Sequence, residues 1–337
     1  MVTGARSDEQ PPGLIRQILA GWQSARVLMA ANHLDLFTAI EEAALSAEEV
    51  SSGCGTHPRS TRMLLNACVA LGILEKEGPL YRNSAEAKEL LIKGKPTYIG
   101  DAIAHQDDLW WPWTGLHEAV RTNERVGERY RRVRERDEAL SAEVRRNFIL
   151  AMHTNAMRRA PQLAEQLDLS GRRQLFDAGG GPGTHSVFLV KRYPGLKAIV
   201  FDLPQVIEIA KEIIADFGVT DRVTTRAGDY FMDDFGQAND VVLFSAIFHS
   251  MAPERSKGLL QKAYDSLVPG GLVVVQEGLI DDEGTRPLRA VLFSLNMLVN
   301  TGEGQSYSAA EIMGLMDAVG LVEPRVIPPS LVISTKP

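Results

Sequence analysis

From Gly171 onward the chain alternates short, β-rich apolar runs with helical stretches. The runs are "QLFDAGG", "LKAIVFD", "RVTTRAG", "DVVLFSAIF" and "GLVVVQEGL". Continuous apolar runs belong to strands covered on both faces, and strands alternating with helices belong to parallel sheets. The pattern therefore predicts an α/β fold built on a mostly parallel sheet. The fourth run reads as a buried strand reaching Phe248, with His249 next and a helix beginning near Pro253. The tail "VEPRVIPPSLVISTKP" adds two strand-like runs split by Pro328-Pro329.

The chain before Gly171 reads differently. Residues 14–45 repeat apolar side chains at three-to-four spacing and read as helix. Ser46 followed by Glu49 is a capping-box signature. A short helix, a Gly-containing turn, a helix over about 58–72 and a hairpin turning at Gly78-Pro79 follow. Together they read as a winged helix. Its second helix carries Arg59 and Arg62, but the body "MLLNACVALGIL" is almost wholly apolar. Groove reading needs exposed polar side chains that reach base edges, so packing or dimerisation is the expected role. Residues 97–165 read as further helix. They include Trp110, Trp111 and Trp113, three of the 4 tryptophans, which suit either a core or subunit interface or the wall of a pocket for a flat substrate. In "RTNERVGERYRRVRERDEALSAEVRRNF" acids interleave the bases, as on a solvated helix surface. The expected organisation is a winged-helix domain over 1–100, a helical linker over 101–165 that contributes to a substrate pocket, and a sheet domain over 166–337.

A net charge of -7 disfavours nucleic acid and anionic membranes as partners. Cys54 and Cys68 are the 2 cysteines; they show no metal-ligand spacing and form no disulfide framework, which suits a reducing, cytoplasmic setting. No metal is expected. The N-terminus "MVTGARSDEQPPG" has no apolar core of a signal peptide, and no run approaches the ~18 apolar residues of a membrane span.

The segment "LFDAGGGPGTHSVFLVKRYP" carries the chemistry. A strand ends in Asp177, a glycine-rich turn follows, and a helix begins near Thr184. Glycines admit a ligand close to the backbone, and the helix start offers free amides. The spacing Gly179-x-Gly181-x-Gly183 misses the dinucleotide pattern. The next strand ends in Asp202, about the ~20 residues on at which a carboxylate meets a ribose diol. In "AGDYF", Asp229 stands at the end of the third strand, with Tyr230 and Phe231 able to cover a purine. Each acid alone reads as a helix cap. Three in succession at the carboxyl ends of neighbouring strands mark where an open α/β sheet binds a nucleoside cofactor.

"DAGGGPG", "FDLPQVIEIA", "GDYF", "SLVPGGLVVVQE" and the histidine after the fourth strand together resemble the S-adenosylmethionine-dependent O-methyltransferases of the caffeic-acid/acetylserotonin type. The resemblance covers essentially the whole chain. It implies a Rossmann-like class I methyltransferase sheet with an antiparallel C-terminal strand. It also implies a homodimer formed through the winged helix, S-adenosylmethionine as cofactor, and a small-molecule methyl acceptor. The candidate cofactor contacts are Asp177, Gly179, Gly181, Gly183, Asp202, Leu203, Gly228, Asp229, Tyr230, Phe231 and Ser245. Ser245 stands where plant members have a lysine. The candidate acceptor contacts are Trp110, Trp113, Met152, Phe293, Asn296 and Met297.

His249 falls on the family's general base, a task that suits an imidazole because its unperturbed pKa lies near working pH. Glu277 falls on its carboxylate partner. Two departures stand out. The family's second acid, in Glu-Arg-Thr, is replaced by Ser306, Tyr307 and Ser308, with Glu303 nearby but out of register. Ser250-Met251 replace Asp-Trp. The expected activity is methyl transfer to a small-molecule hydroxyl with His249 as base. The alternative is transfer to sulfur, nitrogen or carbon by positioning alone.

Overall fold

The computed structural model describes residues 13–127 and 138–337. The N-terminal reading over 1–12 and residues 128–137 of the mixed-charge stretch lie outside the described residues. The chain forms two compact units, one through Asp107 and one from Asp108 on.

In the first unit a helix runs over Leu14–His33 and a second over Leu36–Ile40. The single helix expected over 14–45 is therefore broken. Asp35, with φ 55°, turns the chain so that Leu36, Phe37 and Ile40 enter the core. Strand β1 (Leu45–Ser46) leads into a helix over Ala47–Gly53, where Ser46 and Glu49 make the expected reciprocal capping box. The helix Pro58–Ala70 stops two residues short of the reading. Strands β2 (Leu74–Glu77) and β3 (Leu80–Asn83) form the wing, and the three strands pair in the order β1-β3-β2. The Asn83 amide donates to the carbonyls of Phe37 and Glu41, both at 2.8 Å, tying the wing to the broken helix. Leu65 and Cys68 are buried, whereas Arg59 and Arg62 are exposed. Leu14, Ile15, Ile18, Leu19 and Trp22 are exposed along the first helix.

In the second unit the helical region resolves into Gly100–Thr114 (which begins in the first unit), Leu116–Thr122 and Glu138–Gln166. A seven-stranded sheet follows: β4 (Gln174–Ala178), β5 (Lys197–Asp202), β6 (Val223–Ala227), β7 (Asn239–Ser245), β8 (Leu267–Gln276), β9 (Val322–Ile327) and β10 (Leu331–Thr335). Its order is β6-β5-β4-β7-β8-β10-β9. Strands β4 to β8 pair in parallel, and β10 enters antiparallel between β8 and β9. Alternate strand residues serve two cores. Leu175, Val200 and Leu243 face one, while Phe176, Phe201, Val242 and Phe244 face the other. The second contains an aromatic slab in which Phe176 lies 5.3 Å from Phe201 and 5.0 Å from Phe235 between ring centroids.

Register decides where the site lies. Asp202 pairs with Ala227, Ala178 with Phe201 and Ser245 with Gln276, so the parallel strands end along one line. The fourth strand ends at Ser245, not at Phe248 as its apolar run suggests. Ala246, at φ 59°, turns the chain out of the sheet, and Phe248–Ser250 form one 3-10 turn. Phe248 still faces the core, which is why the apolar run outlasts the strand.

Candidate active site

The glycine turn after β4 is shaped by what surrounds it. Gly179, Gly181 and Gly183 all have positive φ. A Cβ on Gly179 would stand 2.4 Å from Ile247 Cδ1 and 3.4 Å from the Tyr230 ring. One on Gly180, which the sequence reading did not single out, would stand 2.8 Å from the Asp177 carboxyl carbon. At Gly181, by contrast, a Cβ would meet nothing within 4 Å. The turn is closed beneath and open above, as a ligand cradle requires.

Asp177 lies under this turn and is 1% exposed. Its Oδ2 accepts from the Ser186 hydroxyl at 2.7 Å, while Oδ1 has no partner. Burial pushes its carboxyl up to about 7, with the nearby Asp202 charge adding to the effect. Asp202 closes the turn from β5: its two oxygens accept from the Gly181 amide at 2.8 Å and the Leu203 amide at 2.7 Å. Burial raises this carboxyl too, and the two amide bonds oppose the rise. Each oxygen keeps a lone pair for a further donor. Leu203 is 41% exposed at the start of the helix Pro204–Asp216.

After β6 the chain makes a tight turn. Gly228 has no room for a Cβ, which would stand 2.4 Å from the Phe201 ring. The Asp229 carboxylate accepts from the Phe231 amide at 2.8 Å, and the rings of Tyr230 and Phe231 meet edge to face at 4.7 Å. Lys262 holds the turn by donating to the carbonyls of Tyr230, Phe231 and Asp233 at 2.6–2.9 Å. Nothing in the sequence around Lys262 signals that task. Burial raises the Tyr230 phenol, with the Asp202 charge adding to the rise and Ser250 opposing it, so the turns after β5, β6 and β7 converge.

At the end of β7 the Ser245 hydroxyl donates to Gln276 Oε1 at 2.8 Å and approaches His185 Nδ1 at 3.5 Å. His185 is pushed down to about 4 by burial, then by Arg159, and its Nε2 is buried without a partner. The sequence reading missed His185 because it sits inside a helix, after the glycines that drew attention. His153 Nδ1 lies 2.7 Å from the Thr184 hydroxyl, placing Met152 beside the start of that helix.

The 3-10 turn sets His249 against Glu277, the residue after β8. His249 Nδ1 lies 2.8 Å from Glu277 Oε2, and Glu277 Oε1 accepts from the amides of Phe248 at 2.8 Å and His249 at 3.4 Å. The Glu277 side chain is 3% exposed and that of His249 16%. A carboxylate can only accept, so Nδ1 carries the proton and Nε2 is the basic nitrogen. The edge of Phe293 meets the His249 ring at 4.8 Å. One turn further along the helix Leu288–Asn300, Asn296 accepts from the Trp113 indole at 2.9 Å. Phe293, Asn296 and Trp113 are thus brought to the dyad. Trp110 and Met152 are half-buried, and Met297 is 8% exposed.

No second acid reaches the dyad from the positions that replace the family's Glu-Arg-Thr. The Ser306 hydroxyl donates to the Ala290 carbonyl at 2.8 Å, that of Tyr307 to the Met251 carbonyl at 2.8 Å, and Ser308 caps the helix Ala309–Asp317. Glu303 pairs at the surface with Arg255 at 3.8 Å. Among the described residues no group of three or more His, Cys, Asp or Glu is placed to hold a metal, and no helix is long and apolar enough to cross a membrane.

Residues 113–322 match the family model for the O-methyltransferase domain, and residues 17–93 match that for the O-methyltransferase dimerisation domain. The chain is 34% identical to a 3-hydroxy-5-methyl-1-naphthoate 3-O-methyltransferase of Streptomyces sahachiroi, over 97% of this chain and 95% of the relative. It is 31% identical to the acetylserotonin O-methyltransferase of Bos taurus, over 93% of each. The solved structure of human N-acetylserotonin methyltransferase in complex with SAM superposes with a TM-score of 0.88 at 26% identity, over 99% of each chain.

Proposed function

The chain belongs to the O-methyltransferase family, and we propose that it uses His249 as the general base for methyl transfer from S-adenosylmethionine to a hydroxyl of a small aromatic molecule. It is an S-adenosylmethionine-dependent methyltransferase of small molecules. When bound, S-adenosylmethionine supplies an electrophilic methyl group on a good leaving group. The residues present fit that cofactor. The turn is open above Gly181, and Asp202 retains acceptor capacity for two hydroxyls. Asp229, with the Tyr230 and Phe231 rings beside it, offers an acceptor and a flat surface to a purine. Asp177 acts from below: it fixes the turn through Ser186. Ser245 completes the wall where plant relatives carry a lysine.

The observation that carries the base assignment is the Glu277 carboxylate. Both of its oxygens are occupied by donors from the 248–249 turn, so it fixes the imidazole's position and tautomer together. Nε2 then takes the acceptor's proton as its oxygen attacks. Positioned proton transfer of this kind is worth about 10²–10⁴ in rate. Phe293, Asn296 and Trp113 hold the aromatic acceptor beside it; Trp110, Met152 and Met297 extend that wall. We assign residues 101–165 to the acceptor pocket and residues 1–100 to a homodimer contact, the latter supported by the matched dimerisation segment and the exposed apolar stripe from Leu14 to Trp22.

A screen with methyl-labelled S-adenosylmethionine against phenolic, thiol, thioether and amine acceptors, read by mass spectrometry, tests the reading. Label on a phenolic oxygen is the expected result. Label only on sulfur, nitrogen or carbon overturns the hydroxyl assignment.

A further inference from the structure

We propose that Gly304 and Tyr307 are positioning residues for the base: the segment that carries them, 301–307, holds the His249 turn by its carbonyls while Glu277 holds it by its amides. This deepens the reading of His249 as base and rests on it.

The amides of Phe248 and His249 are taken by Glu277 Oε1. The carbonyls that follow meet the 301–307 segment. A Cβ on Gly304 would stand 2.5 Å from the His249 carbonyl oxygen and 3.1 Å from the Ser250 carbonyl carbon, so only glycine lets the two backbones come this close. Gly304 is not among the glycines with positive φ, so close approach and not backbone angle is what it serves. Three residues on, the buried Tyr307 hydroxyl donates to the Met251 carbonyl at 2.8 Å, just past the turn.

The segment is itself anchored to the acceptor side of the crevice. The Thr301 hydroxyl donates to the Met297 carbonyl and accepts from the Gly304 amide, both at 2.8 Å. Ser306 donates its hydroxyl to the Ala290 carbonyl at 2.8 Å and its amide to the Ser294 hydroxyl at 3.1 Å. The Tyr307 carbonyl accepts from the Ile280 amide at 3.0 Å, three residues past Glu277. These contacts tie the base turn to the helix Leu288–Asn300, whose Phe293 meets the His249 ring. The wall assigned to the acceptor and the base that takes its proton are thereby held as one unit.

An alanine methyl at Gly304 has no free space to enter. Thr301 cannot turn aside, because its hydroxyl is engaged on both sides. The 249–250 backbone must therefore move, and His249 Nδ1 is drawn off Glu277 Oε2, which lies 2.8 Å away in the native chain. Without that contact the imidazole proton sits on either nitrogen, and only the Nδ1–H form leaves Nε2 basic.

The test reads the imidazole itself beside the rate. Enzyme carrying isotope-labelled histidine and saturated with S-adenosylhomocysteine is followed by two-bond proton–nitrogen correlation, with His249 assigned by its absence from His249→Ala. In the wild type Nδ1 should carry the proton. In Gly304→Ala the two nitrogen signals should converge, and single-turnover methyl transfer to the best phenolic acceptor should fall by roughly 10–100-fold, the worth of a displacement of about 1 Å or less. S-adenosylhomocysteine affinity should stay close to wild type. Tyr307→Phe, which removes one hydroxyl, should move both readouts in the same direction by less. Gly302→Ala is the control, since a Cβ there would meet nothing within 4 Å, and it should match the wild type in both. Thermal unfolding shows which variants are folded, and Tyr307→Phe decides alone if Gly304→Ala is not. Folded variants with native nitrogen signals and native rates overturn the proposal, as does a Gly302→Ala variant as impaired as Gly304→Ala. A His249→Ala variant that keeps the wild-type rate strikes the base reading instead, while the nitrogen signals still judge whether the segment holds the imidazole.

Discussion

Replacing Glu277 by glutamine probes the base assignment with the least disturbance. In the native chain one oxygen of Glu277 accepts from two backbone amides and the other from His249 Nδ1. The glutamine oxygen best keeps the two amides of Phe248 and His249, because leaving them unpaired in a buried place costs about 1–3 kcal/mol each. Its NH2 group then faces Nδ1, where a proton already sits. Two donors cannot share that contact. The imidazole must move its proton to Nε2, which removes the free base, or rotate away from the acceptor. Turnover should fall by roughly 10²–10⁴, or about 2.7–5.5 kcal/mol in barrier. Folding stability should change little, since the three hydrogen-bonding positions remain filled by groups of the same shape. Single-turnover methyl transfer from labelled S-adenosylmethionine measures the first quantity, and thermal unfolding the second. Glu277→Gln within threefold of the wild-type rate would refute the reasoning.

Asp177 makes stability depend on pH. Its carboxyl stands at about 7 in the folded chain against the ordinary 3.8, so between those values the folded chain holds a proton that the unfolded chain has released. Stability from this group is complete below pH ~4 and is lost as pH rises toward ~7, by on the order of 4 kcal/mol; Asp177→Asn should flatten that loss when unfolding is followed from pH 4.5 to 8 without cofactor. Asp202→Ala should weaken S-adenosylmethionine binding by about 1.5–3 kcal/mol, the value of hydrogen bonds to a charged acceptor, and unchanged calorimetric affinity would remove Asp202 from the ribose contact. Light scattering should give about twice the chain mass for the wild type, in keeping with an apolar stripe too large for a solitary helix face. Ile18→Glu combined with Trp22→Glu, which charges that stripe, should give a monomer, and a persisting dimer would place the interface elsewhere.

The parts of this fold that sequence reveals are those in which a residue's chemistry and its place in an element coincide. Asp202 and Asp229 are acids at strand ends, and the glycines between them and Asp177 have backbone angles few other residues accept. Boundaries set by one left-handed residue are hidden. Ala246 ends β7 inside an apolar run because Phe248 returns to the core, and Asp35 breaks a helix whose apolar spacing continues past it. The pairing of His249 with Glu277 follows from parallel register between β7 and β8, and the resemblance to a family supplied that register. Contacts made by long side chains across unrelated elements leave no pattern to read. Lys262 on the 230–233 turn and Ser186 on Asp177 both belong to that kind. The positions of the family's second acid show the reverse case: Ser306 and Tyr307 are committed to backbone carbonyls and bring no carboxylate to His249.

Single-turnover methyl transfer by His249→Ala tests the central claim most directly. The variant is loaded with labelled S-adenosylmethionine, mixed with the best phenolic acceptor found for the wild type, and assayed for O-methylated product. If His249 Nε2 removes the hydroxyl proton, the rate falls by roughly 10²–10⁴ while the cofactor's dissociation constant stays close to wild type. A His249→Ala variant that keeps most of its rate would contradict the claim and leave the imidazole as a group that only orients its neighbours.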